Sequence, residues 1–208
     1  MGNTKKGLLL VISGPSGVGK GTVCRRLMDR NDAIRLSVSA TTRSKRPGEV
    51  EGKHYYFKTR EEFERMIQES AFLEYTQVFG MNYYGTPRSF VEQEIALGHT
   101  VILEIDVQGA MRVKAAYPEA VLVFIAPPSM GELKSRLIGR GTETPEAVEK
   151  RFATAFDELE TARHYDYVVV NDILDAAIAQ MEAIVAAEKC CCKRNQTLFD
   201  ELEGGYAK

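Results

Sequence analysis

The chain is short of the features that would send it out of the cell, into a membrane or onto a nucleic acid. Four of its 208 residues are cysteine, and three of these stand together as Cys190-Cys191-Cys192. Adjacent cysteines cannot build a disulfide framework. With Cys24 they read as free thiols of a reducing compartment, the tract sitting at the end of a helix. Lys189, Lys193 and Arg194 flank the tract and would favour thiolates, which keeps a metal-binding tract or redox handle open as the alternative. No apolar run approaches a membrane span in length. The stretch Met1-Gly2-Asn3-Thr4-Lys5-Lys6-Gly7 leads straight into an apolar strand with no secretory apolar region, and Tyr206-Ala207-Lys208 is no prenylation box. Neither charge sign is in excess: 27 Lys and Arg against 29 Asp and Glu leave a net charge of −2, which gives no reason to expect nucleic acid as a partner. The expectation is a cytoplasmic protein, with no membrane and no nucleic acid among its partners. No internal repeat, low-complexity tract or long linker is present. A hydrophobic share of 44% and a charged share of 27% are ordinary for a soluble globular enzyme, and the length suits one core with insertions.

What is present is concentrated near the N-terminus. Leu8-Leu9-Leu10-Val11-Ile12 is followed by Gly14-Pro15-Ser16-Gly17-Val18-Gly19-Lys20, and then by a helix-like segment from Gly21 to Asp29. Strand, glycine-rich turn, Gly-Lys and helix is the context of a phosphate-binding loop. The glycines let the backbone curl so that several N–H groups face one anion, and the helix N-terminus adds its positive dipole end. Lys20 brings a mobile cation for β- and γ-phosphates. Gly21 stands where a Ser or Thr is usual, and Thr22 follows, so a hydroxyl still opens the helix. The hydroxyl contact to Mg²⁺ is left open by that shift. The plain alternative is a glycine turn with a lysine at a helix start.

Further along, strands alternate with helices. Ile34–Ser39, Thr100–Ile105, Ala120–Ile125 and Tyr167–Val170 read as strands, the last three as nearly continuous apolar runs of the kind buried on both faces of a parallel sheet. Ile173–Glu188 carries Leu174, Ile178, Met181 and Val185 on one helical stripe. Ser129-Met130-Gly131-Glu132 reads as a capping box, and Thr144-Pro145-Glu146 as a helix start with Pro at its first position. The result is a doubly wound parallel α/β core. Two segments interrupt it. One runs from about Ser37 to Pro87 and holds Tyr55-Tyr56-Phe57, a helix from Arg60 to Glu69 capped by Thr59 and Glu62, and a strand over Phe72–Phe79. That pattern suggests a small α+β lobe. The other runs from about Met130 to Thr154 and carries Arg136, Arg140 and Arg151.

The lobe opens with Ser39-Ala40-Thr41-Thr42-Arg43-Ser44-Lys45-Arg46-Pro47-Gly48-Glu49. Arginine forks bind phosphate bidentately, so Arg43 and Arg46 among hydroxyls suit a second phosphate group. Tyr55 and Tyr84 offer phenolic donors. Glu74 and Thr86 pair a carboxylate with a hydroxyl, which suits guanine: N1–H and the N2 amino group donate while O6 accepts. Adenine has no such donor pair and would leave a buried Glu74 unpaired. Each residue alone has a plainer reading, as solvated basic surface, strand packing or an exposed acid.

Together these stretches resemble the guanylate kinase family. The phosphate loop, the run from Ser39 to Glu49, Asn82-Tyr83-Tyr84-Gly85-Thr86, Leu103-Glu104-Ile105-Asp106-Val107-Gln108-Gly109, Gly139-Arg140-Gly141-Thr142 and Val170-Asn171-Asp172 all look like its signatures, in family order, over about Gly7 to Ala187. The likeness is strongest to the short bacterial type. It implies a core of residues 1–36, 88–129 and 155–208, a GMP-binding lobe of 37–87 and a helical lid of 130–154. It implies an ATP:GMP phosphotransferase that moves the γ-phosphoryl group of ATP to GMP, giving ADP and GDP. By similarity, Gly14, Pro15, Ser16, Gly17, Val18, Gly19, Lys20, Gly21 and Thr22 cradle the ATP phosphates, with Arg136, Asn171 and Asp172 also on the ATP side. Arg43, Arg46, Tyr55 and Tyr84 hold the GMP phosphate, and Ser39, Glu74 and Thr86 contact guanine. Lys20, Arg43, Arg140 and Arg151 carry the charge stabilisation of the transfer. Asp106 fits a GMP or Mg²⁺-water contact. Mg²⁺ enters with ATP through Thr22, Asp106 or water, and the family varies between Asp and Glu where Glu104 stands. ATP and GMP are the implied partners, and a homo-oligomer is left open.

Such a transfer needs no general base, because the attacking oxygen belongs to an already anionic phosphate. His54, His99 and His164 therefore need no catalytic role, though His54 beside Tyr55 could line the pocket. Three competitors stand beside this reading. A kinase for another phosphorylated acceptor is opposed by Glu74 with Thr86. A scaffold-type binding module is opposed by Lys20 and the lid arginines. A phosphate-loop GTPase is opposed by the lack of an Asn-Lys-x-Asp motif.

Overall fold

The computed structural model describes residues 6–78, 80–139 and 144–204. Its elements run β1 (Leu8–Ser13), α1 (Lys20–Arg30), β2 (Ile34–Leu36), β3 (Ala40–Thr41), β4 (Tyr56–Phe57), α2 (Arg60–Gln68), β5 (Phe72–Val78), β6 (Asn82–Pro87), α3 (Arg88–Ala96), β7 (Thr100–Glu104), α4 (Val107–Ala116), β8 (Val121–Ala126), α5 (Met130–Ile138), α6 (Pro145–Ala162), β9 (Tyr167–Val170), α7 (Leu174–Cys190) and α8 (Gln196–Gly204), with a 3₁₀ turn at Cys192–Arg194 before α8. Among the described residues no helix is long and apolar enough to cross a membrane.

The core is a parallel sheet in the order β2-β7-β1-β8-β9. Every residue of β1 is buried, which the run Leu-Leu-Leu-Val-Ile allows because both faces are covered. Successive side chains alternate between faces. Leu8, Leu10 and Ile12 pack toward α1, α5 and α7 through Leu27, Leu133 and Ile178, while Leu9 and Val11 pack toward α3 and α4 through Val91, Ile95 and Val113. The chain order reverses at β1, with β7 on one side and β8 on the other. In open α/β sheets that switch point, at the carboxyl ends of the strands, is where ligands sit.

Two strand readings change. The segment read as one strand from Ile34 to Ser39 belongs to two sheets. Its ladder with β7 ends at Leu36, Ser37 N–H still donates to Ile102 O at 2.9 Å, and the chain then turns into the second sheet at Ala40. Apolar content cannot show that turn. Strand β9 is apolar but lies at the sheet edge, so Val168 and Val170 are exposed while Val169 is buried. The capping box at Ser129 is half made. Its Oγ accepts from Glu132 N–H at 3.1 Å, but the Glu132 carboxylate is taken by Arg136 Nε at 3.0 Å. The boxes at Thr59 and the Pro start after Thr144 form as read. Helix α6 runs unbroken past residue 154 to Ala162.

The second sheet, in the order β4-β3-β6-β5, forms the lobe between β2 and α3, with α2 packed on it. Its own core is small: Ala40, Phe63 and Phe72, edged by Met66, Ile67 and Tyr83. Phe63 stacks on Phe72 at 4.3 Å and on Tyr83 at 5.2 Å between ring centroids. Gly85 of β6 leaves room for these rings, since a β-carbon there would stand 3.0 Å from both Phe63 and Phe72. Truncating the central ring should remove about 3–5 kcal/mol from a unit with little else to hold it. Phe63→Ala is therefore expected to raise hydrogen exchange across β3, β5 and β6 while leaving β1 and β7 protected. Equal loss of protection in both sheets would show that the lobe has no cooperative core of its own.

Candidate active site

The loop after β1 is shaped by three positive φ angles, at Gly14 (151°), Gly17 (88°) and Gly19 (100°). Gly17 and Gly19 lie in the left-handed range that only glycine enters freely. A side chain at Gly19 would also collide, since its β-carbon would stand 2.6 Å from Asn171 Nδ2. Asn171 follows β9, is buried, and donates from Nδ2 to Val18 O at 2.8 Å. Its own carbonyl accepts from Arg136 Nη1 at 3.0 Å. Asn171 and Arg136, both read from sequence as ATP-side residues, thus meet at the back of the loop. Asp172 beside them is exposed. Lys20 folds across the loop, donating to Gly14 O at 2.5 Å and Pro15 O at 3.2 Å. From α6, Arg151 Nη1 donates to Ser16 Oγ at 2.7 Å. Arg140 lies outside the described residues.

A cleft of about 390 Å³ opens beside the loop. Gly14, Ser16 and Lys20 line one side, Ser39, Tyr55, Glu74 and Tyr84 the lobe side, and Asp106, at the N-cap of α4, the floor between β7 and α4. The structure thus brings residues of the phosphate loop and of the lobe to one cavity. Thr22 is exposed on α1 and does not line it. Glu104, at the end of β7, does. A β-carbon on Gly21 would stand 3.5 Å from Glu104 Oε2, so the carboxylate covers the place where a hydroxyl-bearing residue is usual. Desolvation in the cleft raises the Glu104 pKa, and Lys20 and Arg25 oppose the rise. Glu158 of α6 also lines the cleft, and burial raises its pKa against the pull of Lys20. Asp106 caps α4, its Oδ1 accepting from Gly109 N–H at 2.7 Å.

On the lobe side Arg43 is held from several directions. Its Nη2 and Nη1 donate to Glu49 at 2.7 and 3.1 Å, and its guanidinium lies 5.4 Å from the Tyr55 ring centre and 5.9 Å from that of Phe57. Tyr55 and Tyr84 meet edge to face at 6.0 Å. The Arg43 bond, helped by the Arg46 backbone N–H, pulls the Glu49 carboxyl down to about 2. Arg46 contributes that N–H at 2.8 Å, but its side chain is exposed and outside the cleft lining. Glu74 is buried, and its Oε1 accepts from Thr86 Oγ1 at 3.0 Å. His54 faces away from this work, its Nδ1 accepting from Val50 N–H at 2.9 Å.

Three participants escaped the sequence reading. Glu49 ends the quoted arginine-rich run, six residues from Arg43, and could have been found as its pairing partner. Glu158 falls three residues after buried Ala155, one helical turn toward the core. Arg112 of α4 lies 3.7 Å from Glu74 Oε2. Its place one turn after Gly109 was a signal only in hindsight of where α4 packs.

The arrangement can bind two phosphate groups and one base, with cations drawn from the loop, the lobe and α6. The guanylate kinase family model matches residues 6–188. The chain is 54% identical over 207 residues to the guanylate kinase of Symbiobacterium thermophilum, covering 99% of this chain and 98% of the other. It is 53% identical over 195 residues to that of Caldanaerobacter subterraneus subsp. tengcongensis, covering 94% of each. The crystal structure of guanylate kinase from Anaplasma phagocytophilum superposes with a TM-score of 0.75 at 36% identity, over 92% of this chain and 90% of that one. Nearly full-length likeness in sequence, and the same architecture around the same loop, lead to one conclusion: the chain belongs to the guanylate kinase family.

Proposed function

We propose that this chain transfers the γ-phosphoryl group of ATP to GMP, with residues 37–87 as the acceptor lobe and residues 130–154 as the lid. The observation that carries the reading is the shared cleft: Glu74, its carboxylate held from behind by the Thr86 hydroxyl, and the phosphate loop with Lys20 open onto the same cavity. Glu74 takes the N1–H and N2 amino donors of guanine, and Ser39 and Thr86 complete the base contacts. Arg43, Tyr55 and Tyr84 take the acceptor phosphate, with Glu49 holding the Arg43 fork in place until the anion shares it. Arg46 reaches the phosphate only by swinging in from the surface.

The transferring group sits between two anions, so the chemistry is mostly charge neutralisation and alignment. Lys20 leaves its loop carbonyls for the β- and γ-oxygens. Arg151, already at Ser16, adds a second cation from α6, and Arg140 adds a third. The residues present suit a Mg²⁺ carried in by the nucleotide: Glu104 and Asp106 offer hard oxygen atoms beside Lys20, and among the described residues no cluster of three or more His, Cys, Asp or Glu could hold a metal by itself. Glu104 and Asp106 would hold that ion directly or through water, and it would supply further charge neutralisation for the phosphates. Closing the lobe and the α5–α6 segment over the cleft would shut out water, the competing acceptor. The chain would act where nucleotides are made, in the cytoplasm.

Measuring ADP release with GMP, AMP, CMP and UMP as acceptors tests the reading. GMP is expected to be preferred over AMP by 10³-fold or more in kcat/KM, in the manner of sites that reject a base lacking the needed donors (on the order of 10⁴). Comparable turnover with AMP would overturn it. Lys20→Ala should lower kcat by roughly 10²-fold or more while the melting temperature holds, because a cation aimed at developing charge is lost. A variant within a few-fold of the parent would remove Lys20 from the transfer.

A further inference from the structure

One charged group beside the base site has no part in the transfer itself. Arg112 lies on α4 with Nη2 3.7 Å from Glu74 Oε2. Its Nε and Nη2 are buried and have no hydrogen-bond partner among the described residues. Those two nitrogens share one edge of the guanidinium, the edge that grips a carboxylate side-on. Glu74 is 8% exposed, and its other oxygen is already engaged by Thr86 Oγ1 at 3.0 Å. Hydrogen bonds of this kind are often long before substrate binds and tighten afterwards.

We propose that Arg112 is a positioning residue of the acceptor site, holding Glu74 ionised and fixing the direction of its oxygens so that the carboxylate presents acceptors, and not a proton, to the base. The inference rests on the reading of Glu74 as the group that meets guanine. The charge state of that carboxyl decides what it can read. Ionised, it accepts from N1–H and the N2 amino group. Protonated, its O–H would meet N1–H donor against donor, and would suit N1 of adenine, an acceptor.

The surroundings pull the carboxyl both ways. Burial raises its pKa, and Asp106, from the N-cap of α4, pushes in the same direction. The Thr86 bond from β6 and the Arg112 charge from α4 oppose them. From α3, Arg88 reaches β5 at Phe72 O (3.0 Å), not at Glu74. Lys20, Glu104, Glu158, Tyr55 and Tyr84 share the cleft. Thr86 is neutral, so Arg112 is the group whose removal changes the charge beside Oε2. The Glu74 pKa would then rise further. Affinity for GMP would be kept on the alkaline side and lost as pH falls through the new value.

Calorimetry of GMP binding as a function of pH, from mildly acidic to mildly alkaline, tests this with the full chain, Arg112→Met and Arg112→Lys. The GMP phosphate titrates alike for all three, so the ratio of affinities to wild type is the quantity read. For Arg112→Met the ratio should be flattest at high pH and fall by up to about tenfold per pH unit on the acid side, the slope of one proton. Arg112→Lys should restore most of the wild-type profile, and AMP should gain on GMP in the Met variant at low pH. A ratio that is lowered equally at every pH would mean a packing role and would overturn the proposal. So would a Lys variant that behaves like Met. Should Arg112→Met not fold by circular dichroism, Arg112→Gln supplies the neutral arm. A wild-type chain that binds no GMP at any pH would instead overturn the functional reading beneath it.

Discussion

The burial of β1 on both faces is the constraint on which the rest of the molecule depends. Its five apolar residues are packed so completely that the first polar surface available is at its carboxyl end. There the chain must turn sharply under α5 and back into α1, and Gly14, Gly17 and Gly19 permit it. The turn is not left to glycine alone. Asn171, delivered by the end of β9, clips Val18 O, and its own backbone N–H donates to Ala126 O at the end of β8 at 2.8 Å. Three parallel strands thus converge on one loop. A loop held from behind keeps its N–H groups facing forward without reorganisation at the moment an anion arrives, which is how preorganised electrostatics gain their strength.

Charge around the cleft is arranged by the same economy. Four of the described cations have an oxygen partner inside the protein: Lys20 its loop carbonyls, Arg43 the Glu49 carboxylate, Arg151 the Ser16 hydroxyl, Arg112 a loose approach to Glu74. Carboxylates line the cleft among them, and desolvation raises the pKa of Glu74, Glu104 and Glu158. Incoming phosphate would replace the neutral oxygen partners of Lys20 and Arg151 with charged ones and would share Arg43 with Glu49, and the carboxylates would keep the site from binding anions indiscriminately. A low effective dielectric makes both contributions larger than they would be in water.

What could be read from the sequence was what is local. The phosphate loop announces itself because its glycines, lysine, strand and helix lie within one short run, and the Thr59 and Thr144 caps because capping spans three residues. Glu74 and Thr86 were legible as a pair by chemical type, and β5 and β6 place them opposite one another in the ladder. The rest depends on contacts between elements. Ile34–Ser39 looks like one strand because hydrophobicity does not record a change of sheet. The exposure of Val168 and Val170 follows from β9 lying at an edge, which strand order alone decides. Arg112 and Glu158 sit on helices whose facing cannot be known until α4 meets β5 and α6 meets the cleft. Arg43 and Arg46 were legible as residue types fit for phosphate, but not their placement: neither is among the residues lining the cleft, Arg43 being paired with Glu49 and Arg46 exposed.

On this reading the transfer site is assembled from segments on opposite sides of the end of β1, which must come together over both substrates. Hydrogen exchange with a bisubstrate analogue, adenosine and guanosine joined through phosphates, tests it most directly. New protection is expected in the phosphate loop, in β3–β6 of the lobe, and in α5 and the first turns of α6, together with a smaller radius in solution scattering. Protection confined to the phosphate loop, with an unchanged radius, would contradict it.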